Sequence, residues 1–324
     1  MRAIGIDLGG TKIEGVVLDA ALRPVHRVRV ATERERGYEH ILERIAGVLA
    51  ALRPHAPKAR VVGIGTPGSL SARDGTLKNS NTTCLNGRAL HADLEERLGM
   101  PVRLENDANC FALAEARGGA GQGHVLVFGV ILGTGVGGGL VIDGQVRTGP
   151  QHIAGEWGHH AIDPAGPGCY CGQRGCVETL LSGPALEAAY RDAGGSVASA
   201  AEIATRGAAG EAPAVAALGR YLEHFGRALA NVIDILDPDA IVLGGGLSNL
   251  DVLYTRGRAA VARYVFNDEL RTPIVPNRLG DSAGVIGAAL LTAGAPDGRT
   301  PSGTSRSSRP HGARRSGSRR RRRR

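Results

Sequence analysis

Ile4-Gly5-Ile6-Asp7-Leu8-Gly9-Gly10-Thr11-Lys12 decides the reading of this chain, because a second version of it lies 124 positions downstream. Laid down without a gap, Ile4–Asp19 (IGIDLGGTKIEGVVLD) falls on Phe128–Asp143 (FGVILGTGVGGGLVID). Gly5/Gly129, Leu8/Leu132, Gly9/Gly133, Gly15/Gly139, Val17/Val141 and Asp19/Asp143 are identical. Each copy reads as a strand, a glycine-rich turn and a second strand ending at Asp. Glycine suits such a turn because backbone N–H groups can then approach a ligand closely. Two such turns facing each other across a cleft would cradle phosphates from both sides. Asp7 of the first copy is Ile131 in the second. An acid in one copy only points to function, as a holder of a metal ion or its water. The plainer alternative is a duplicated hairpin that binds nothing.

Outward from this repeat, 324 residues suffice for two domains with separate cores. The low aromatic content (3%) and 49 glycines suit an α/β protein with many tight turns. The net charge of +8 belongs to one end of the chain: from Arg299 onward there are eleven Arg and no acid, and +8 less eleven leaves a body of −3. That Pro/Ser/Gly/Arg stretch, 295–324, predicts a disordered tail able to touch nucleic acid only non-specifically, through phosphates. Five Cys, three of them clustered, argue for a reducing compartment and a metal site. Met1-Arg2 runs directly into a strand, so no signal peptide or membrane span is expected and the protein reads as cytoplasmic.

Between the two copies, His26–Thr32 reads as a strand, Tyr38–Arg53 as a helix with an apolar stripe, and Val61–Gly65 as a buried strand. Thr66-Pro67-Gly68-Ser69 then opens a long polar loop. Its Lys78–Thr83 segment, Asn81 included, carries the hydrogen-bonding groups a polyol binder needs. A helix at Ala89–Leu98 and a strand at Val102–Glu105 lead to Asn106-Asp107, which open the helix Ala108–Ala116. Asp107 suits a helix N-cap. It also stands at the C-terminal edge of a strand, where open α/β sheets place ligands and where it could take a proton from a hydroxyl. Gly118–Gly123 marks a boundary between halves.

In the second copy, Gly133-x-Gly135-x-x-Gly138 fits a dinucleotide fingerprint, but Gly139–Gly144 reads as strand and turn rather than the required helix, so a nicotinamide site is excluded. No Walker-type loop occurs. Leu218–Leu236 reads as a long helix and Ala240–Leu243 as a strand. Gly244-Gly245-Gly246 and a helix at Asp251–Tyr264 then offer a further place for a nucleotide. Asp281–Ala293 reads as a last, close-packing helix.

Cys169, Cys171 and Cys176 are spaced C-x-C-x4-C with glycines between them, and a histidine about ten residues upstream completes a Cys3His zinc knuckle. Spacing alone leaves His159 and His160 open. Four protein ligands make the site structural, fixing the loop that carries Glu156 and Glu178.

IGIDLGGTK (4–12), LENDANCFALAEA (104–116), GVILGTGVGGG (129–139), GEWGH (155–159), CYCGQRGCVE (169–178) and DPDAIVLGGGLSN (237–249) together resemble the ROK (repressor, open reading frame, kinase) family along residues 1–294. The resemblance implies an actin-like ATPase (ribonuclease H-like) fold with an interdomain cleft. One domain would be 1–117 plus 280–294 and the other 118–279 with the knuckle. It implies Asp107 as general base, with Gly68, Asn81, Asn106, Glu156, His159 and Glu178 on sugar hydroxyls. Asp7, Gly9, Gly10, Thr11 and Lys12 with Gly133, Thr134, Gly135 and Gly137 would handle Mg2+ and ATP phosphates. Zinc would sit on His159, Cys169, Cys171 and Cys176, and the protein would be a homodimer. The family's repressors carry a helix-turn-helix ahead of the first strand, which is not expected here. KNSNTTCLNG (78–87) and AGEWGH (154–159) look closest to fructokinase/mannokinase, while LENDANCFALAEA and GVILGTGVGGG look equally like N-acetylglucosamine kinase. The expectation leans to fructose, by transfer to a 6-hydroxyl. The rival from another class is a sugar-sensing regulator without turnover.

Overall fold

The computed structural model describes residues 2–293; the arginine-rich segment 295–324 lies outside the described residues. The first hairpin is β1 (Ala3–Leu8) and β2 (Lys12–Leu18), extended by β3 (Pro24–Ala31). After α1 (Tyr38–Leu52), β4 (Val62–Thr66) and β7 (Val102–Asn106) add in parallel beyond β1, giving the order β3-β2-β1-β4-β7. The stretch between them holds a small hairpin, β5 (Ser69–Leu70) with β6 (Leu77–Lys78), and then α2 (Leu90–Leu98). The polar loop is therefore partly structured, because Leu77 turns in to the core while its neighbours stay wet.

The second sheet repeats the plan. β8 (Leu126–Leu132) and β9 (Val136–Ile142) form the hairpin, β10 (Gln145–Val146) extends it, and β11 (Ala240–Gly244) and β12 (Ile274–Pro276) add in parallel. The order β10-β9-β8-β11-β12 matches the first sheet position for position. Four helices lie between β10 and β11: α4 (Val177–Leu181), α5 (Gly183–Asp192), α6 (Ala200–Ala208) and α7 (Ala212–Leu236). α8 (Arg256–Ala262) follows β11.

The duplication differs from the sequence alignment in one respect. Leu8 pairs with Ile13 across the first turn, whereas Leu132 pairs with Val136 across the second, which is one residue shorter. Side chains alternate faces along a strand, so a one-residue slip exchanges inside for outside. Gly15 faces Val48 and Leu52 of α1, but its aligned partner Gly139 faces the other way, toward Ala108 and Ala112. The identities Gly15/Gly139 and Val17/Val141 thus join residues on opposite faces; the strand β1 and its copy β8 do correspond.

Between the sheets run α3 (Asp107–Gly118) and α9 (Ala283–Leu290), in contact with each other; α3 meets strands of both sheets, and α9 meets β1, β2, β4 and β7 of the first. Alanine and glycine make this possible. A side chain on Gly63 would strike the carbonyl oxygen of Ala288, and one on Gly287 that of Cys110. The outer face of the first sheet is covered by α1 through Ile41, Leu42, Ile45, Val48, Leu49 and Leu52. Each such burial is worth about 1.5–3 kcal/mol. α7 covers the second sheet in the same way, its helix running six residues earlier than its leucine pattern predicts. No helix among the described residues is long and apolar enough to cross a membrane.

Candidate active site

β1, β4 and β7 all end at one edge, where the N-terminus of α3 begins. Asn106, not Asp107, is the N-cap: its Oδ1 accepts from the N–H of Ala108 (2.9 Å) and Asn109 (3.4 Å), and its Nδ2 donates to Gly68 O at 3.0 Å. This corrects the expectation that Asp107 caps the helix. With the cap filled, Asp107 is the first helical residue, and Oδ1 accepts from the Ala108 N–H at 2.8 Å. Gly68 serves this arrangement with its carbonyl, in a positive-φ turn (φ +86°) where a side chain would strike Lys78 O.

Burial pushes the Asp107 carboxyl up to about 6; the Ala108 N–H opposes this and the charge of Glu156 reinforces it. Asp7, at the end of β1, is pushed up to about 7 by burial and then by the charge of Asp107. Its carboxylate lies between the bare Cα positions of Gly65 and Gly284 and has no hydrogen-bond partner among the described residues. Glu156 is raised by burial and again by Glu178, with His159 and Lys78 opposing. Asp7, Asp107, Glu156 and Glu178 thus form one chain of mutually sensed charges across the edge. An unpartnered, half-buried carboxylate such as Asp7 is a fitting donor for a hard divalent cation.

The two glycine turns flank this chain. Gly9 closes the first by donating to Lys12 O (3.0 Å), and Gly133 closes the second by donating to Gly135 O (2.9 Å). The N–H groups of Gly10, Thr11, Thr134 and Gly135 have no acceptor among the described residues. Such donors suit phosphate oxygens. Lys12 is drawn to buried Glu14 (3.8 Å), which also binds Arg29 at 2.6 Å. Gly137 offers its carbonyl to the Trp157 indole N–H at 2.9 Å, so it supports the turn from behind.

Gly244 ends β11, and Gly245 (φ +80°) passes tightly over the Leu132 carbonyl, bringing this glycine run against the second turn. The chain continues in a short 3-10 turn, Gly246–Asn249; the helix expected at Asp251–Tyr264 shrinks to a 3-10 turn at Asp251–Leu253 and α8. The helix N-terminus proposed beside Gly246 is therefore absent there.

His159 Nδ1 and the Sγ atoms of Cys169, Cys171 and Cys176 all lie within 4.8 Å of one another. Cys169 Sγ is 3.5 Å from His159 Nδ1 and Cys171 Sγ is 3.6 Å from Cys176 Sγ. A tetrahedron with Zn–S of about 2.3 Å and Zn–N of about 2.0 Å has edges of about this length, so the donors fit zinc. The same geometry separates the two histidines. His159 Nε2 meets the Tyr170 hydroxyl at 2.9 Å, whereas His160 Nε2 turns away to Asn231 at 3.2 Å. The knuckle borders the carboxylates directly: Glu156 precedes the turn carrying His159, and Cys176 is the N-cap of the helix carrying Glu178.

Asn81 is exposed on the polar loop, in a cavity beside the first turn. Asn86 bonds Ser80 N (2.8 Å) and Ser80 O (2.9 Å), so part of the loop's polar inventory holds the loop itself. Sequence reasoning overlooked Glu105, whose Oε1 accepts from Asn106 N (2.8 Å) and Asn109 Nδ2 (2.9 Å), although its place beside Asn106 was a usable signal.

Duplicated sheets, each opening on a hairpin with a glycine turn, and an acid at the end of the first strand point to one class of protein, and comparison with known proteins agrees. The ROK family matches residues 3–295, and the chain belongs to that family. N-acetyl-D-glucosamine kinase of Photobacterium profundum is 41% identical over 297 residues, covering 89% of this chain and 98% of the relative. The Vibrio cholerae enzyme of the same name is 39% identical, with 89% and 98% covered. Among solved structures, ROK hexokinase from Thermus thermophilus superposes with a TM-score of 0.81 at 35% identity, covering 90% and 97%. A ROK family glucokinase from Streptomyces griseus, in complex with glucose and AMPPNP, gives 0.74 at 32%, covering 90% and 99%. The fold is accordingly the actin-like ATPase fold.

Proposed function

We propose that this chain is an ATP-dependent sugar kinase that phosphorylates N-acetyl-D-glucosamine, at its 6-hydroxyl. The observation that carries the kinase reading is Asp107: a carboxyl pushed up to about 6, standing between phosphate-side Asp7 and the carboxylates of the knuckle. A base with that pKa is ionised at neutral pH yet basic enough to take a hydroxyl proton as the phosphoryl group arrives. Transfer of this kind depends on positioning and charge stabilisation. Here the open N–H groups of Gly10, Thr11, Thr134 and Gly135 would hold phosphate oxygens. Mg2+, held through Asp7, would neutralise phosphate charge. Glu156, Glu178 and Asn81 would fix the sugar, and Zn2+ on His159, Cys169, Cys171 and Cys176 would stiffen the loop that presents them.

The sugar assignment draws on the N-acetylglucosamine kinases above and replaces the leaning to fructose. That leaning rested on the loop 78–87, and Asn86 there spends its side chain on Ser80. We assign two lobes, 1–117 plus 280–294 and 118–279, that close on the sugar and exclude water. ADP release should be measured with fructose, mannose, glucose, N-acetylglucosamine and N-acetylmannosamine. N-acetylglucosamine should give the highest kcat/KM. ADP release with none of the five would overturn the kinase reading, and a preference for fructose would overturn the sugar.

A further inference from the structure

Beside the first glycine turn is a cavity of about 340 Å3 lined by Arg34, Glu35, Asn81, Thr82, Thr83 and Cys84. Two of its side chains converge on Gly10. Where a Cβ on Gly10 would stand, an Arg34 guanidinium nitrogen is 3.5 Å away and Thr82 Oγ1 is 3.6 Å away. Beyond Gly10's chain neighbours, nothing else among the described residues comes within 4 Å of that point.

Both groups lack partners. Thr82 is 1% exposed, and its hydroxyl has no hydrogen bond. Burying a hydroxyl unpaired costs about 1–3 kcal/mol, so such a group calls for a ligand. Arg34 is in neither an ion pair nor a side-chain hydrogen bond among the described residues, although Arg27, Arg29 and Arg36 around it are paired. Its backbone is fixed: the Arg34 carbonyl accepts from the Gly37 N–H at 3.1 Å. Glu35 shares the cavity, but it does not approach Gly10.

Resting on the kinase reading above, we propose that Arg34 and Thr82 bind the phosphoryl group as it reaches the sugar, and hold the sugar phosphate before release. The Gly10 N–H would contribute the third donor. The arrangement suits a tetrahedral dianion: a planar cation, a hydroxyl and a backbone N–H meet over a residue with no side chain in the way. Sugar hydroxyls, being neutral, would gain little from Arg34. Its effect should therefore fall on turnover and product affinity rather than on sugar binding.

The test compares the full chain with Arg34→Gln, Arg34→Lys, Thr82→Val and Thr82→Ser. Readouts are kcat, KM for N-acetylglucosamine and inhibition by N-acetylglucosamine 6-phosphate. Arg34→Gln should lower kcat about 10–100-fold, less than the roughly 10²–10³ lost with a donor in a closed, water-excluded site, because Arg34 is exposed and its charge is screened. It should weaken product inhibition about tenfold or more and leave the sugar KM within about twofold, with partial recovery in Arg34→Lys. Thr82→Val should melt no lower than wild type, since the hydroxyl it removes has no partner, yet lose kcat; Thr82→Ser should keep it. Unchanged kcat and product inhibition in Arg34→Gln, with an active wild type, would overturn this assignment alone. A wild type that turns over no sugar would overturn the kinase reading instead.

Discussion

Glu178 Oε2 accepts a hydrogen bond from the backbone N–H of Val136 at 3.0 Å. A residue of the knuckle therefore holds the last peptide of the second glycine turn, and a side chain on Gly135 would press on the same carboxylate. With its other oxygen on sugar, as proposed above, one carboxylate would serve both substrates. Glu178→Ala should raise KM for MgATP as well as for sugar, each about tenfold or more, the worth of one hydrogen bond to a charged acceptor. Glu178→Gln keeps an acceptor and should restore most of the MgATP term. A Glu178→Ala enzyme with the wild-type KM for MgATP would show that the turn holds its shape unaided.

Asp107→Asn should lower kcat about 10²–10⁴-fold, the range for losing a general base. Sugar affinity, measured by calorimetry, should survive, because Asn106 and not Asp107 caps α3. Full activity in the Asn variant would remove the assignment.

Stability should respond to the same carboxyl. Its folded pKa of about 6 lies above the ordinary value of 3.8. Between those values the native state binds the extra proton, so the stability it contributes is complete below about pH 4 and is lost as pH rises through 6. At about 1.4 kcal/mol per pKa unit the loss is at most about 3 kcal/mol. Asp107→Asn should therefore gain on the wild type as pH rises from about 4 to about 6, and hold that gain above it, in urea titrations of the ligand-free protein. Parallel pH dependences would contradict the raised pKa.

Cys171→Ser removes an exposed member of the proposed zinc set, and its loss opens no cavity in the core. The variant should bind less than one zinc per chain, measured by elemental analysis. Its sugar KM should rise while the helices outside the knuckle persist by circular dichroism. Zinc-free protein with wild-type kinetics would exclude the supporting role given to the metal.

Gly287→Ala should destabilise the chain by about 1–3 kcal/mol in thermal melts, through overpacking against the Cys110 carbonyl where α9 meets α3. An Ala variant melting with wild type would mean the two helices can separate freely.

Much of the first sheet was legible because its signals are local. The α1 stripe repeats at helical spacing, and Val61–Gly65 is apolar enough to be read as a buried strand, observed one residue later as β4. The knuckle was equally plain, since C-x-C-x4-C is a compact signal; choosing His159 over His160 needed the direction of each ring. α4, α5 and α6 went unread, their apolar positions being few and their lengths short. Arg34 was invisible for a different reason. Nothing in Glu33–Arg36 distinguishes one arginine from another until folding brings Gly10 and Thr82, from distant segments, against it.

The shorter second turn means that the two halves of this molecule are not exchangeable parts. Copying Lys12–Leu18 onto Val136–Ile142 by sequence number would aim Ile13 and Val17 toward the helices shared by both sheets and leave the distal core short of them. A working chimera must first drop one residue between the strands. Any comparison of the two halves residue by residue must likewise carry a one-residue gap in that turn.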